Sequence, residues 1–238
     1  MSDLAKIPVL LASAAAFDMG IRPPNPPPSK EESVKPTTVL EKFVNFAAVG
    51  VPHLYGGLGW AAALCEVAVI LARRYPSSPL AQQTLRTLLS SPSTPIRLSP
   101  AILAAALAAT AGGLLRKWCF VHLGRLFTYQ LSIRQGHTLV TSGPYAIVRH
   151  PSYTGVWLMS MGWHAMHLLP GSWVRESGVL QTAAGRAAAL VMLCLSAVAA
   201  PGLLARVPRE DKMMKDQFGE QWDEWAKKTP YRLVPYIY

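Results

Sequence analysis

The chain has 238 residues, of which 51% are hydrophobic and 15% charged, with a mean hydropathy of +0.23. That balance excludes an ordinary soluble domain. Its 23 basic and 13 acidic residues, net +10, are scattered between apolar blocks rather than gathered on one face, which argues against nucleic acid and for an anionic bilayer surface as partner. The apolar blocks run from Leu4 to Met19, Val39 to Ala72, Pro100 to Leu115, Thr154 to Leu169 and Val179 to Ala205. A helical span needs about 20 apolar residues. The expected fold is therefore all-α: a polytopic membrane helical bundle of about five transmembrane helices, the first and third marginal, with a C-terminal helical cap in the cytosol.

In chain order, the first block combines an apolar core with small residues in the manner of a signal peptide, but Asp3 offsets Lys6 and the block reads as a retained anchor. Pro23 to Glu32, within a linker at 22–36, predicts an extended, solvated polyproline II segment. In the second block, Gly57, Gly59 and Ala62 imitate a dinucleotide-binding fingerprint. Ser77 and Ser78 stand where that motif needs an acidic residue, so Gly56, Gly57 and Gly59 are read as small residues letting helices approach. Glu66 is an intramembrane carboxylate, expected to make a helix-packing hydrogen bond. Cys65, Cys119 and Cys194 have no paired spacing and read as buried small hydrophobes.

Trp118 to Ile133 suits a helix lying at the interface, and Gly136, Gly143 and Pro144 make the following segment a loop. Pro151 is placed to begin a new helix. Pro170 to Gly178 is a turn that folds the last two apolar blocks into a hairpin, returning Arg206, Glu210 and Asp211 to the face that holds His137 and Arg149. Met213, Met214, Phe218, Trp222 and Trp225 are spaced for a short amphipathic helix, a break at Gly219 and a second helix. The positive-inside rule puts 116–149 and 206–228 in the cytoplasm, while Arg73, Arg74, Arg86 and Arg97 leave the N-terminal orientation open. His164 and His167 have no third ligand near them in sequence and are read as helix residues.

The densest polar run, QLSIRQGHTLVTSGPYAIVRHPSYTG (Gln130 to Gly155), lies between two apolar segments, where such groups need partners or a task. Three patterns are similar to the isoprenylcysteine carboxyl methyltransferase family. They are Gln130 seven residues before HTLVTSG, then PYAIVRHPSYTG, then Arg206 four residues before Glu210 and Asp211 with FGEQW after it. The resemblance covers about the C-terminal half. It implies a catalytic region at 116–238, after an N-terminal transmembrane region at 1–115. The implied activity is methyl transfer from S-adenosylmethionine to the C-terminal carboxylate of prenylated cysteine in CaaX-processed proteins, with S-adenosylhomocysteine as product and no metal. An endoplasmic reticulum location with a cytosol-facing site comes with it.

The cofactor contacts so implied are Gln130, His137, Thr138, Leu139, Val140, Tyr145, His150, Pro151, Ser152, Tyr153 and Glu210. Arg206 would hold the substrate carboxylate, with Arg149 and Glu210 sharing the catalytic site. The chemistry agrees, because an α-carboxylate with a pKa of about 3.5 is already ionised and needs no general base. Alignment and a cation suffice. The prenyl tail is expected beside Trp157, Leu158, Met161 and Trp163. Three other readings stay open. Phospholipid N-methyltransferases share the setting, the ending from Trp222 to Tyr238 resembles NADPH-dependent sterol reductases, and a noncatalytic scaffold would make no use of Arg206 and Glu210.

Overall fold

The computed structural model describes residues 3–91 and 93–238. Its helices are α1 (Lys6–Ile21), α2 (Val39–Arg74), α3 (Pro79–Leu88), α4 (Pro100–Leu123), α5 (Pro151–Leu168), α6 (Trp173–Glu176), α7 (Ala183–Phe218) and α8 (Glu220–Lys228). Local sequence fixes the starts. Thr38, Ser99 and Thr182 each accept a backbone N–H of the first turn of α2, α4 and α7, and proline is the first residue of α4 and α5.

Among the described residues, four segments are long and apolar enough to cross a membrane: Asp3–Ile21, Gly50–Arg74, Pro100–Leu126 and Ala183–Phe218. The expected fifth, α5, has 18 residues and carries Ser152, Tyr153, Thr154, Ser160, His164 and His167. Those polar residues keep it out of that set, and α4 and α1 pack against it. The packing depends on backbone contact. A Cβ on Gly112 would sit 2.3 Å from the Met159 nitrogen, and one on Gly162 would sit 2.4 Å from the Ala109 nitrogen. Gly56 and Gly59 are similarly confined, by Asp18 and Trp163, whereas Gly57 faces nothing within 4 Å and has no such role. The core so formed stacks Phe17 on Trp163 at 4.3 Å, with Leu10, Ile102 and Met159 fully buried around them.

At the end of the bundle remote from the polar run, Lys6 is fully buried and ion-paired to Glu66. Lys6 also donates to the carbonyls of Arg97 (3.0 Å) and Gly171 (2.8 Å), and Glu66 accepts the Trp173 N–H at 3.1 Å. The helix-packing role expected of Glu66 is met, and it ties α1, α2 and the two loops at that end together.

Several expectations need correction. Residues 118–123 are the last turns of α4, not a separate interfacial helix, because Arg116 turns inward instead of marking a headgroup boundary. α7 passes through Pro201 and Pro208 without a break and reaches Phe218, so the amphipathic stretch continues a spanning helix. The chain does turn at Gly219 (φ 54°), as expected. Cys119 is buried but Cys194 is exposed on α7, which packs only lightly on α2 and α5. The Pro-rich linker is not free in solvent. Asn25 donates to the carbonyls of Gly124 (2.7 Å) and Phe127 (3.0 Å), Arg134 donates to Pro26 O, and backbone bonds join Val34 to Leu131 and Ile133 to Glu32.

Candidate active site

A cavity of about 260 Å3 lies where α4 ends, α5 begins and α7 carries its charged turns. It brings together nearly every residue expected of the site. Gln130, His137, Thr138, Leu139, Val140, Tyr145, Arg149, His150, Ser152, Tyr153, Arg206 and Glu210 all line it. Pro151 does not: it is fully buried and acts through the backbone, as the first residue of α5 that presents Ser152 and Tyr153.

Two adjacent acids of α7 do different things. Asp211, 7% exposed, is saturated: His150 Nε2 lies at 2.9 Å, and Arg149 (3.3 Å) and Arg232 (3.2 Å) donate to its other oxygen. Glu210 accepts the Tyr153 hydroxyl at 2.6 Å and lies 3.9 Å from His150, but is otherwise turned to the cavity. Arg149 is committed too, donating to the carbonyls of Thr229 and Pro230, with its guanidinium 5.7 Å from the Trp222 ring centre. Its backbone and that of His150 donate to Tyr231 O and Arg232 O, which holds the C-terminal tail across this side of the cavity.

Arg206 is held by fewer bonds. It is 5% exposed, donates once from Nη1 to the Tyr129 carbonyl at 2.9 Å, and its buried Nε has no partner. Among the described residues no carboxylate lies within 4 Å of it. A buried guanidinium without an anion is costly, and the site accommodates one without supplying its counter-charge.

The loop groups are tuned by burial. Burial lowers the His137 pKa, opposed by Glu210, and pushes the Tyr145 hydroxyl well above its usual value. Burial also raises Tyr129, against the pull of Arg116.

The sequence reading missed three contributors. Arg116 supports the floor of the polar region: it donates to Ser152 Oγ (3.0 Å), Tyr129 Oη (2.8 Å) and the Gly20 carbonyl, beneath the rings of Phe120 and Phe127. A basic pair, Arg116 and Lys117, ending an apolar run was the signal, and it was assigned to headgroups. Asp211 had been placed on the right face but given no role. The third is the linker, which is hydrogen-bonded along the segment that carries Gln130 through the side chains of Asn25, Glu32 and Arg134 and through two backbone bonds. At the linker's end Glu41 pairs with Arg209 of α7. Burial raises the Glu41 carboxyl, but the bonds from Arg209 and Thr37 outweigh it and leave a value of about 2.

Below Arg206 the lining becomes apolar: Val51 and Pro52 of α2, Val156 and Met159 of α5, and Leu195, Ala199 and Leu203 of α7. This corrects the expected place of a greasy ligand. None of Trp157, Leu158, Met161 and Trp163 lines the cavity. Trp163 is locked in the core, and Leu158 (39%) and Met161 (69%) face outward.

Comparison with known proteins agrees with this geometry. Residues 104–216 match the isoprenylcysteine carboxyl methyltransferase (ICMT) family. The ICMT match takes in α4, the loop, α5 and most of α7, and stops before the FGEQW motif and α8. Protein-S-isoprenylcysteine O-methyltransferase B of Arabidopsis thaliana is 34% identical over 128 residues, 53% of this chain and 55% of that protein. A probable protein-S-isoprenylcysteine O-methyltransferase of Oryza sativa subsp. indica is 29% identical over the same length. Delta(14)-sterol reductase TM7SF2 of Mus musculus is 30% identical over 107 residues, 43% of this chain but 20% of that protein. The chain thus spans about half the length of the methyltransferases it matches and a fifth of the reductase.

Proposed function

We propose that this protein is a protein-S-isoprenylcysteine O-methyltransferase. It would convert the C-terminal carboxylate of prenylated cysteine to its methyl ester in CaaX-processed proteins, at the cytosolic face of the endoplasmic reticulum. The observation that carries the reading is Arg206: a buried, anion-free cation at the point where one cavity changes from polar to apolar lining. A prenylcysteine has that polarity, a carboxylate joined to a hydrocarbon tail.

The donor set fits S-adenosylmethionine. Glu210 offers a carboxylate to its amino group or ribose, and Gln130, His137, Thr138, Tyr145, His150, Ser152 and Tyr153 surround that space with donors and acceptors of both kinds, with Leu139 and Val140 between them. When bound, this cofactor supplies an electrophilic methyl on a sulfonium, which passes to a carboxylate oxygen. The chain's own groups do the rest. The Arg206 guanidinium fixes the carboxylate and prevents its rotation. Tyr153, donating to Glu210, holds that acid away from Arg206, so the two do not neutralise each other across the site. His150, Arg149 and Asp211 keep the tail across the cavity and limit water.

The apolar lining accounts for the membrane. Moving a prenyl tail from lipid into water costs about 0.8 kcal/mol per CH2, and entry between the lightly packed α2 and α7 avoids it. The sterol reductase likeness supports a second reading, a reductase-type cofactor site at the C-terminal end. Reconstituted vesicles separate the readings. Labelled S-adenosylmethionine is offered with farnesylcysteine or phosphatidylethanolamine, and NADPH with an unsaturated sterol. Ester label on farnesylcysteine is expected; label only on phospholipid, or sterol reduction alone, rejects the proposal.

A further inference from the structure

The apolar part of the cavity has a definite depth along α7. On α7 its lining recurs once per turn, at Leu203, Ala199 and Leu195, so that three turns lie between Arg206 and the last lining residue. On α2 the lining reaches Val51 and Pro52, and on α5 it reaches Met159. The space closes one turn further on along α2 and α5, and at the level of Leu195 on α7. Tyr55 of α2 is 3% exposed and bonded to α7 twice, to the Met192 carbonyl and to Ser196 Oγ at 2.9 Å. Trp163 of α5 is 2% exposed and stacked on Phe17 of α1, whose ring lies 6.3 Å from that of Tyr55. His164 completes the layer, its ring edge-on to Tyr55 at 6.3 Å and its Nε2 3.4 Å from Ser196 Oγ. Tyr55 also joins two helices that otherwise pack lightly, so its hydroxyl holds α7 against the end of the slot.

We infer that the Tyr55–Ser196 clasp is the floor of the tail slot and sets the length of prenyl chain the enzyme accepts, favouring farnesyl over geranylgeranyl. The inference rests on the proposed methyl transfer for its substrate class. An extended isoprene unit advances about as far as one helical turn, roughly 5.4 Å. Three units match the three lined turns beneath Arg206, and a fourth unit meets the Tyr55 ring. Rejecting one surplus apolar segment from a packed pocket is worth on the order of tenfold or more.

The test is a chain-length series of geranyl-, farnesyl- and geranylgeranylcysteine on the full-length protein in vesicles. It is read both as kcat/KM and as displacement of a fluorescent farnesylcysteine probe, which needs no turnover. The wild type is expected to prefer farnesyl to geranylgeranyl about tenfold by both readouts. Tyr55→Ala should bring the ratio to within about twofold by improving geranylgeranyl binding, whereas Tyr55→Phe, which keeps the ring, should retain most of the preference. Ala199→Phe, which fills the middle turn, should move the preference to geranyl and checks the same slot should Tyr55→Ala not fold. Equal displacement by all three lengths in the wild type, or unchanged ratios in Tyr55→Ala and Ala199→Phe, overturns the floor. Length-selective displacement without methylation of any chain keeps the floor and rejects the methyl-transfer reading.

Discussion

The two ends of the bundle both bury charge, and they treat it in opposite ways. At one end Lys6 and Glu66 are paired with each other, and their remaining capacity is taken by the carbonyls of Arg97 and Gly171 and the N–H of Trp173. At the other, Arg206 is as deeply buried but makes one bond to protein and has no anion beside it. Burial alone therefore does not mark function here; a cation held by a single bond, with no anion beside it, at the edge of the cavity does. The neighbouring acids repeat the lesson within one turn of α7, since Asp211 is saturated by three partners and Glu210 is turned to the cavity.

That contrast can be broken by mutation. Glu66→Ala strands a buried ammonium and should cost about 3–5 kcal/mol of stability. It should not change turnover per folded molecule, as read by thermal melts in detergent beside the vesicle assay. Arg206→Ala should do the reverse, lowering kcat/KM by roughly 10²–10³ with little change in melting temperature. A large melting loss for Arg206→Ala would make the two ends alike and remove the distinction. Asp211→Asn leaves shape but weakens three charged hydrogen bonds, each worth about 1.5–3 kcal/mol at most. The C-terminal tail should loosen, seen as faster proteolysis after Thr229, with KM for the cofactor rising more than kcat falls.

The smallest effect concerns pH. Burial keeps the folded His137 pKa below its usual value, so the unfolded chain takes up that proton first. Stability from this group is complete above the unfolded value of about 6.5 and is lost as pH falls towards the folded one. His137→Gln should flatten that acid-side decline in melting temperature. A steeper decline would mean that the charged imidazole is the form stabilised by Glu210.

How much of this was readable in advance follows from what each feature depends on. The all-α bundle, the start of α5 at Pro151 and the turn at Gly219 were legible because apolar blocks, proline and glycine act locally. The polar lining was legible because polar residues beside lipid are few and came in a recognisable order. The tail slot was assigned to the wrong residues for the converse reason. α5 spreads its apolar and polar residues around the helix, so nothing in sequence says that Trp163 packs on Phe17 while Met161 faces outward. The docking of the linker was hidden because the polar side chains that make it, Asn25, Glu32 and Arg134, bond backbone groups about a hundred residues away, which no local pattern shows. Arg116 was misplaced because a cation at a helix end has two plausible destinations, headgroup or interior, and only the positions of Ser152 and Tyr129 choose between them.

The account turns on whether the unpaired Arg206 is reserved for a substrate carboxylate. The direct measurement is a double cycle: displacement of the fluorescent probe by farnesylcysteine and by its carboxamide, on wild type and on Arg206→Ala. The account predicts that the carboxylate binds the wild type better than the amide by roughly tenfold to a hundredfold, as expected for a charged hydrogen bond in a buried site, and that the advantage disappears in the variant. An equal carboxylate advantage in both proteins would place the anion elsewhere and contradict it.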